Sequence, residues 1–343
     1  MNVFSTFKEV KEQLGRAGYI ADDVIATQIG LLLMQSGIRA MLLDGPPGSG
    51  KTFLAKSVAT MSGTDYVYCQ AHPGSSPEDF LRDINLPKIL RAASGSKDAI
   101  QKDEDVWELG FLPRIFEMSQ TRLVVAFVDE LDKASSRVDS LFLSALQEGE
   151  VVFGEKCYKA NTDNLVLFFT KNQEREITEP LMRRCRREWL DFPAPARELS
   201  ILVDPPSVHT PRFDMGSVPR GDVSIGEPLA KVLITVAEKI RAADSPKMIK
   251  PPATSELQMC AQDAIRLHLA KVPIPIIANT LLTWFAAYSE DRKLVRQLVD
   301  WQKFAGMVSR AVNLGNKKSS SVGDCEINND FTNTTSAFMK RKV

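Results

Sequence analysis

Short apolar runs in the first part of the chain predict the strands of an α/β unit. The run at residues 123–128, LVVAFV, has no polar alternation, which is typical of a strand buried on both faces of a parallel sheet. The run at residues 65–69, DYVYC, alternates and is rich in aromatic side chains. Further runs that predict strands lie at residues 40–44, 165–170 and 188–193. Apolar spacing of three and four predicts helices around them, for example at residues 22–36 and 135–146.

The second part of the chain carries the helical pattern alone. Four stretches with apolar residues three and four apart predict a four-helix lid, at residues 228–242, 254–269, 275–288 and 291–312. A proline-rich segment precedes them, and a Ser-, Asn- and Thr-rich segment that cannot bury a core follows them. We therefore expect a core domain over residues 1–203, a linker over 204–225, the lid over 226–312 and a disordered tail over 313–343.

Composition narrows the function classes. The 343 residues are 44% apolar, enough for a large core, and the 43 Lys and Arg residues balance the 43 Asp and Glu residues. A net charge of zero disfavours a bulk attraction to nucleic acid or membrane, so such a partner needs a local patch. No stretch is long enough to span a bilayer, the amino terminus has no apolar leader, and the five cysteines form no C-x-x-C pair. We expect a cytoplasmic protein.

The sequence GPPGSGKT follows the first apolar run directly and predicts a phosphate-binding loop. Its eight residues are Gly45, Pro46, Pro47, Gly48, Ser49, Gly50, Lys51 and Thr52. The glycines allow successive backbone N–H groups to turn inward around a polyphosphate, and the following helix adds its positive end. Lys51 would lie between the β and γ phosphates, and Thr52 would give its hydroxyl to Mg²⁺. A strand before the loop and a helix after it make nucleotide binding far more credible than an ordinary glycine turn.

Two adjacent carboxylates end the buried run at residues 123–128. Asp129 is expected to bind the Mg²⁺ shell, and Glu130 is expected to polarise the attacking water. Two carboxylates are needed because the one that binds the metal cannot also act on the water. The alternative is that both residues merely cap the next helix. The phosphate loop earlier in the chain favours the catalytic interpretation.

Asn172 follows the apolar run at residues 165–170. A polar amide at that strand tip would lie beside the γ phosphate and orient water, whereas the alternative is a cap for the next helical segment. Before it, residues 150–159 predict a β-hairpin that either touches a substrate or covers the sheet. Residues 71–110 mix Pro, Gly and charged side chains and predict an exposed insertion.

Four arginines in five positions follow, Arg183, Arg184, Arg186 and Arg187. Such a run is usually a solvated face or a nucleic-acid patch. In a triphosphatase, a guanidinium at a subunit edge can instead neutralise the transition state in the neighbouring subunit, which is worth about 10³ to 10⁵ in rate.

Taken together, GPPGSGKT, FVDELDK, FFTKNQEREI, EPLMRRCRREWLDFP and KPPATSEL resemble the MoxR family of AAA+ ATPases, near its carbon monoxide dehydrogenase accessory branch. The resemblance covers roughly residues 19–270. It implies an α/β P-loop AAA+ core with a five-stranded parallel sheet, a small all-helical lid, and a ring, usually of six subunits, with ATP and Mg²⁺ at each interface.

The resemblance also implies site roles. Lys51 and Thr52 would be Walker A, Asp129 and Glu130 Walker B, Asn172 sensor one, and Arg184 the arginine finger, with Arg183 as the alternative. The insertion and the hairpin would face the ring's pore or its partner. The lid should carry a sensor two arginine, but Lys250 is the one weak candidate for that contact.

Three functions follow as hypotheses. The first is an ATPase ring that remodels a partner protein complex or loads its cofactor, as a chaperone does. The second is a nucleotide-gated binding module in which hydrolysis only sets the timing. The third is a nucleic-acid motor or loader, suggested by the arginine run and disfavoured by the neutral net charge.

Overall fold

The computed structural model describes residues 7–85, 89–90, 107–172, 174–203, 223–243 and 248–318. Across these ranges, no helix is both long and apolar enough to cross a bilayer. The insertion expected at residues 71–110 and the linker expected at 204–225 lie partly outside them.

A five-stranded parallel sheet forms the centre of the first domain, as expected. Its strands are β1 (Arg39–Asp44), β2 (Asp65–Gln70), β5 (Val124–Asp129), β8 (Leu165–Thr170) and β9 (Arg186–Trp189). Their order across the sheet is β2-β5-β8-β1-β9, so β1, β5 and β8 are neighbours at the centre. Each central strand is buried because helices cover both faces.

The last strand differs from the prediction at residues 188–193. It begins at Arg186, which pairs with Met41 of β1, and ends at Trp189. This strand lies at the sheet edge, where charged side chains reach solvent, so Arg186 and Arg187 are accommodated in it.

Helices cover the sheet in two layers. One face packs against α1 (Phe7–Arg16), α2 (Asp23–Leu33) and α3 (Lys51–Met61). The other packs against α4 (Pro77–Leu81), α5 (Phe111–Ser119), α6 (Ser136–Glu148) and α7 (Glu179–Arg184). Alternate residues of β1 divide between the two cores, since Met41 lies in one and Leu42 in the other.

Two small antiparallel pairs of strands lie outside the central sheet. One pairs β3 (Arg82–Ile84) with β4 (Trp107–Leu109), and the other pairs β6 (Glu150–Phe153) with β7 (Lys156–Lys159). The second is the hairpin expected at residues 150–159. The first flanks the part of the insertion that lies outside the described residues.

The second domain is all-helical, as expected, with its own core. It follows α8 (Pro195–Val203) and contains α9 (Glu227–Arg241), α10 (Thr254–Leu269), α11 (Ile274–Phe285), α12 (Ser289–Leu298) and α13 (Trp301–Lys318). The prediction of one helix at residues 291–312 is wrong, because the chain breaks at Val299 and Asp300. The Asp300 carboxylate accepts a hydrogen bond from the backbone N–H of Lys303 and so starts a new helix. That helix continues to Lys318, past the tail boundary expected at residue 313, and residues 319–343 lie outside the described part.

Candidate functional site

The carboxyl ends of three neighbouring strands meet at one edge of the sheet. β1 ends at Asp44 and runs into the phosphate loop, β5 ends at Asp129, and β8 ends at Thr170. Ligands of open parallel sheets bind at this edge, because loops from adjacent strands converge there. The topology therefore brings together the loop and the polar residues that were predicted from separate motifs.

The phosphate loop has the backbone that its glycines predict. Gly45, Gly48 and Gly50 have φ angles of +134°, +81° and +93°, in the region that side chains disfavour. Gly45 also has no room for a side chain, since a Cβ there would lie 2.0 Å from the carbonyl oxygen of Leu190. Gly50 caps α3 without a side chain, which leaves the first N–H groups of that helix pointing into the loop.

Lys51 is the first residue of α3, and its ammonium lies inside the loop. The Nζ atom donates to the carbonyl oxygens of Gly45, at 2.6 Å, and Pro46, at 3.1 Å. The residue is only 7% exposed. Burial lowers the pKa of Lys51, while the nearby carboxylates, first Asp129, oppose that shift. Within the described residues, the hydrogen bonds of this buried cation go to carbonyl oxygens, which an anion could replace as its partner.

Glu130 stands out in the backbone and in its contacts. Its φ angle is +55°, one of two positive values among the described non-glycine residues. Its Oε1 accepts from Asn172 Nδ2 at 3.0 Å, and its Oε2 accepts from Gln70 Nε2 and Lys133 Nζ, each at 2.9 Å. Burial raises the pKa of Glu130, but the hydrogen bonds from Lys133 and Gln70 outweigh it, so the pKa lies below its ordinary value. Glu130 is therefore ionised at neutral pH.

The helix-cap alternatives for Asp129, Glu130 and Asn172 do not hold. The N-cap of α6 is Ser135, and that of α7 is Thr178. Glu130 precedes a short 3₁₀ turn but makes no side-chain cap bond to it.

Asp132 positions Asn172 against Glu130. Its Oδ2 accepts from the backbone N–H groups of Asn172, at 2.9 Å, and Glu174, at 2.8 Å. The Asn172 Oδ1 atom is buried and has no hydrogen-bond partner, and the same is true of Asp132 Oδ1. A buried, unpaired acceptor of this kind is costly and marks a place where a donor such as water binds.

The residues present fit a nucleoside triphosphate with Mg²⁺. The loop offers inward N–H groups and an ammonium, and Asp129 together with the exposed Thr52 hydroxyl offers the hard oxygen ligands that Mg²⁺ prefers. Within the described ranges, no three His, Cys, Asp or Glu side chains group into a metal-binding cluster.

The four arginines of the run belong to two different elements. Arg183 and Arg184 end α7 and are exposed, whereas Arg186 and Arg187 belong to the edge strand. Arg183 is paired with Glu179 one helical turn earlier. In the part of the chain that the structure describes, the Arg184 guanidinium makes no hydrogen bond or ion pair, so Arg184 is the freer of the two finger candidates.

The lid touches the phosphate loop through Ala253 rather than Lys250. A Cβ placed on Gly48 would lie 2.4 Å from the Ala253 Cβ and 3.8 Å from the Ser255 hydroxyl. Lys250 Nζ is paired with Glu256 at 2.6 Å. The role of Lys250 as sensor two stays a prediction.

Sequence reasoning missed several partners of the two carboxylates. Gln70 ends β2, Lys133 lies one turn after Glu130, and Thr170 donates to Asp129 Oδ1 at 2.5 Å. Tyr68 reaches Asp129 Oδ2 at 3.3 Å. Burial and then Asp129 raise the pKa of Tyr68 to about 12, so its phenol stays a donor. A polar residue at the tip of each strand was the available signal for Gln70 and Thr170.

The fold is an α/β core, built on a five-stranded parallel sheet with a phosphate loop after β1, followed by an all-helical domain. Residues 40–185 match the family model described as AAA domain (dynein-related subfamily). The matched segment runs from β1 to the end of α7, so it contains the phosphate loop, the two carboxylates that were predicted to be Walker B, and Asn172. It covers less than half of the chain and does not include the lid.

Two curated relatives are cytoplasmic dynein heavy chains. That of Drosophila melanogaster is 30% identical over 197 residues, which is 50% of this chain and 4% of that protein. That of Neurospora crassa is 31% identical over 170 residues, which is 43% of this chain and 4% of that protein. This chain thus matches about 4% of the length of either relative. A solved structure of a Thermotoga maritima RuvB mutant covers 83% of this chain and 73% of its own, with 15% identity and a TM-score of 0.45.

Proposed function

We propose that this chain is an Mg²⁺-dependent ATPase of the MoxR type. The observation that carries the proposal is the position of Glu130. It is ionised, follows the carboxyl end of β5 at the same edge of the sheet as the phosphate loop, and is hydrogen-bonded to Asn172, whose own Oδ1 is unpaired. A carboxylate and an amide directed to one place are what a water nucleophile needs.

Each residue of the site has a distinct part in this mechanism. Lys51 leaves the carbonyl oxygens of Gly45 and Pro46 to bind the β and γ phosphates. Thr52 and Asp129 would hold Mg²⁺, which would neutralise charge on those phosphates. Glu130 turns one oxygen from its present donors to the attacking water and takes its proton, while Asn172 orients that water.

Glu130→Gln tests the mechanism. The amide keeps the shape of the side chain but cannot accept the proton, so turnover should fall by about 10² to 10⁴. Binding of ATP with Mg²⁺ should persist. Glu174→Gln makes the same chemical change at an exposed neighbour and should leave turnover within about twofold, a change worth under 0.5 kcal/mol. Wild-type turnover in Glu130→Gln would remove the assignment.

We further propose that the active form is a ring, probed through Arg184. The proposal is supported by the exposure of Arg184 at the end of α7, because an exposed guanidinium is free to contact a neighbouring subunit. Mixing Arg184→Ala with Lys51→Ala subunits should restore part of the turnover, because each variant supplies what the other lacks across an interface. Failure to recover at any ratio would indicate a site contained within one subunit.

The proposed output is remodelling of a partner protein complex, or cofactor loading into it. The lid contacts the phosphate loop through Ala253, so a change in the loop on hydrolysis would shift the lid against the core. The hairpins β3–β4 and β6–β7 have exposed strands and would carry that motion to the partner. Pull-down with Glu130→Gln held in the ATP state would identify this partner.

One observation favours the second candidate, a nucleotide-gated binding module. Lys250, the lid's candidate cation, is engaged in an ion pair with Glu256, which would have to break before Lys250 could reach a phosphate. If the partner responds equally to ATP and to a non-hydrolysable analogue, gating by binding is the function. A dependence on hydrolysis supports remodelling.

A further inference from the structure

Thr170 is the last residue of β8 and is fully buried. Its hydroxyl faces β5, the neighbouring strand, at the point where the two Walker carboxylates begin. The register pairs Val128 with Phe169, so Asp129 lies directly beside Thr170 across the strands.

One hydroxyl contacts both carboxylate residues. Thr170 Oγ1 donates to Asp129 Oδ1 at 2.5 Å and accepts from the backbone N–H of Glu130 at 2.8 Å. A hydroxyl carries one proton and two lone pairs, so it can serve as donor to the first residue and acceptor for the second at once. Neither valine nor alanine can make either bond.

The contact with Glu130 falls at a strained position. Glu130 has a φ angle of +55°, and such a conformation in a non-glycine residue persists only when the surroundings enforce it. The Thr170 bond to its N–H fixes the peptide between Asp129 and Glu130. That peptide sets the direction in which both side chains leave the strand.

We propose that Thr170 is a positioning residue that presents Asp129 to Mg²⁺ and Glu130 to water through this single hydroxyl. The inference rests on the proposed ATPase function. It predicts that Thr170 affects the Mg²⁺ concentration that nucleotide binding requires, and not only the stability of the sheet.

The test compares nucleotide binding with and without Mg²⁺ in Thr170→Val and Thr170→Ser. A fluorescent ATP analogue is titrated in EDTA and then at increasing MgCl₂. Thr170→Val should raise the Mg²⁺ concentration for half-maximal binding by about 10- to 100-fold, the usual effect of removing a partner of a metal ligand. Binding in EDTA should be unchanged, because the loop and Lys51 are intact. Thr170→Ser keeps the hydroxyl and should stay near wild type.

Tyr68→Phe is the matched control. It removes the other hydroxyl that contacts Asp129, which is longer at 3.3 Å and half-exposed, and should shift the Mg²⁺ requirement far less than Thr170→Val does. If Thr170→Val does not fold, Thr170→Ser still distinguishes a positioning role from a purely structural role. It loses a buried methyl group, so a purely structural role would predict that it weakens binding with and without Mg²⁺ alike.

The possible failures are distinguishable. An equal Mg²⁺ requirement in wild type and Thr170→Val, or a parallel loss of binding in EDTA and in MgCl₂, would overturn the inference about Thr170 alone. A wild-type chain that binds the analogue no better with Mg²⁺ than with EDTA would overturn the proposed function first.

Discussion

Two polar networks flank the phosphate loop, one at the strand ends and one at the junction between core and lid. At the strand ends, Asp132 and Asn172 each leave a buried oxygen unpaired. At the junction, Glu198 is fully buried on α8 and takes two hydrogen bonds from Arg241, at 2.8 and 2.9 Å, and one from Thr254, at 2.7 Å. Arg241 also donates to the carbonyl oxygen of Pro252.

The difference separates structural from functional polar groups. A buried ion pair whose hydrogen bonds are all formed has no free group to offer a ligand. Removing one partner leaves the other charge buried without compensation, which destabilises the folded state. Buried oxygens without a hydrogen-bond partner destabilise the folded state, and a ligand bound beside the anion-binding loop can supply the missing hydrogen bonds. We therefore expect changes at the junction to alter stability, and changes at the strand ends to alter activity with little loss of stability.

The largest expected loss of stability comes from Glu198→Ala. It leaves the Arg241 guanidinium buried without its carboxylate, so the free energy of unfolding should fall by about 3–5 kcal/mol. Glu179→Ala breaks the exposed pair with Arg183, whose side chains are 68% and 74% exposed, and should cost less than about 1 kcal/mol. Urea denaturation midpoints measure both. Equal losses would contradict the distinction between the junction and an ordinary surface pair.

A smaller loss should follow from Gly48→Ala, which probes how the lid meets the loop. The new methyl group would lie 2.4 Å from the Ala253 Cβ, at a φ of +81°. Gly37→Ala is the control, because its φ is +79° and nothing lies within 4 Å of its Cβ. The free energy of unfolding of both variants should fall by about 1–2 kcal/mol, because alanine disfavours a positive φ angle. That of Gly48→Ala should fall by about 1–3 kcal/mol more, because of the clash.

Adding Ala253→Gly to Gly48→Ala removes the methyl group that clashes. Stability, followed by urea denaturation, should then recover towards that of Gly37→Ala. No recovery would mean that Ala253 is not the contact that carries the cost.

The sheet and the loop were predictable because their signals are local. Each central strand is a continuous apolar run, and GPPGSGKT carries its backbone requirements in adjacent residues. The break in the lid at Asp300 was missed because apolar spacing continues across it. The aspartate alone marked a new helix start, and such a signal is weak inside a periodic pattern.

The hydrogen-bond partners of the polar groups were less predictable because they lie on elements that are far apart in the sequence. Thr170 ends an apolar run, where a β-branched residue needs no special explanation. Glu198 and Arg241 each belong to a different helix, and nothing in either helical pattern indicates that they meet. Contacts of this kind follow from topology, which sequence periodicity does not specify.

The smallest expected effect concerns the acid dependence of stability at the strand ends. The folded-state pKa of Glu130 lies below its ordinary value of 4.5, because bonds from Lys133 and Gln70 outweigh the effect of burial. The folded state therefore binds this proton less tightly than the unfolded chain. The resulting stabilisation is fully present above pH 4.5 and is lost as the pH falls through the folded-state pKa.

Glu130→Gln should remove that contribution. Wild type should exceed the variant in stability by less than about 1 kcal/mol at pH 7, since Glu130 and Lys133 stay 18% and 28% exposed. The gap should close below pH 4.5 in urea denaturation series from pH 7 to pH 3.5. A gap that widens on acidification would mean that Glu130 is stabilised in its protonated form. The strand-end network would then resemble the junction, with a structural carboxyl in place of a base.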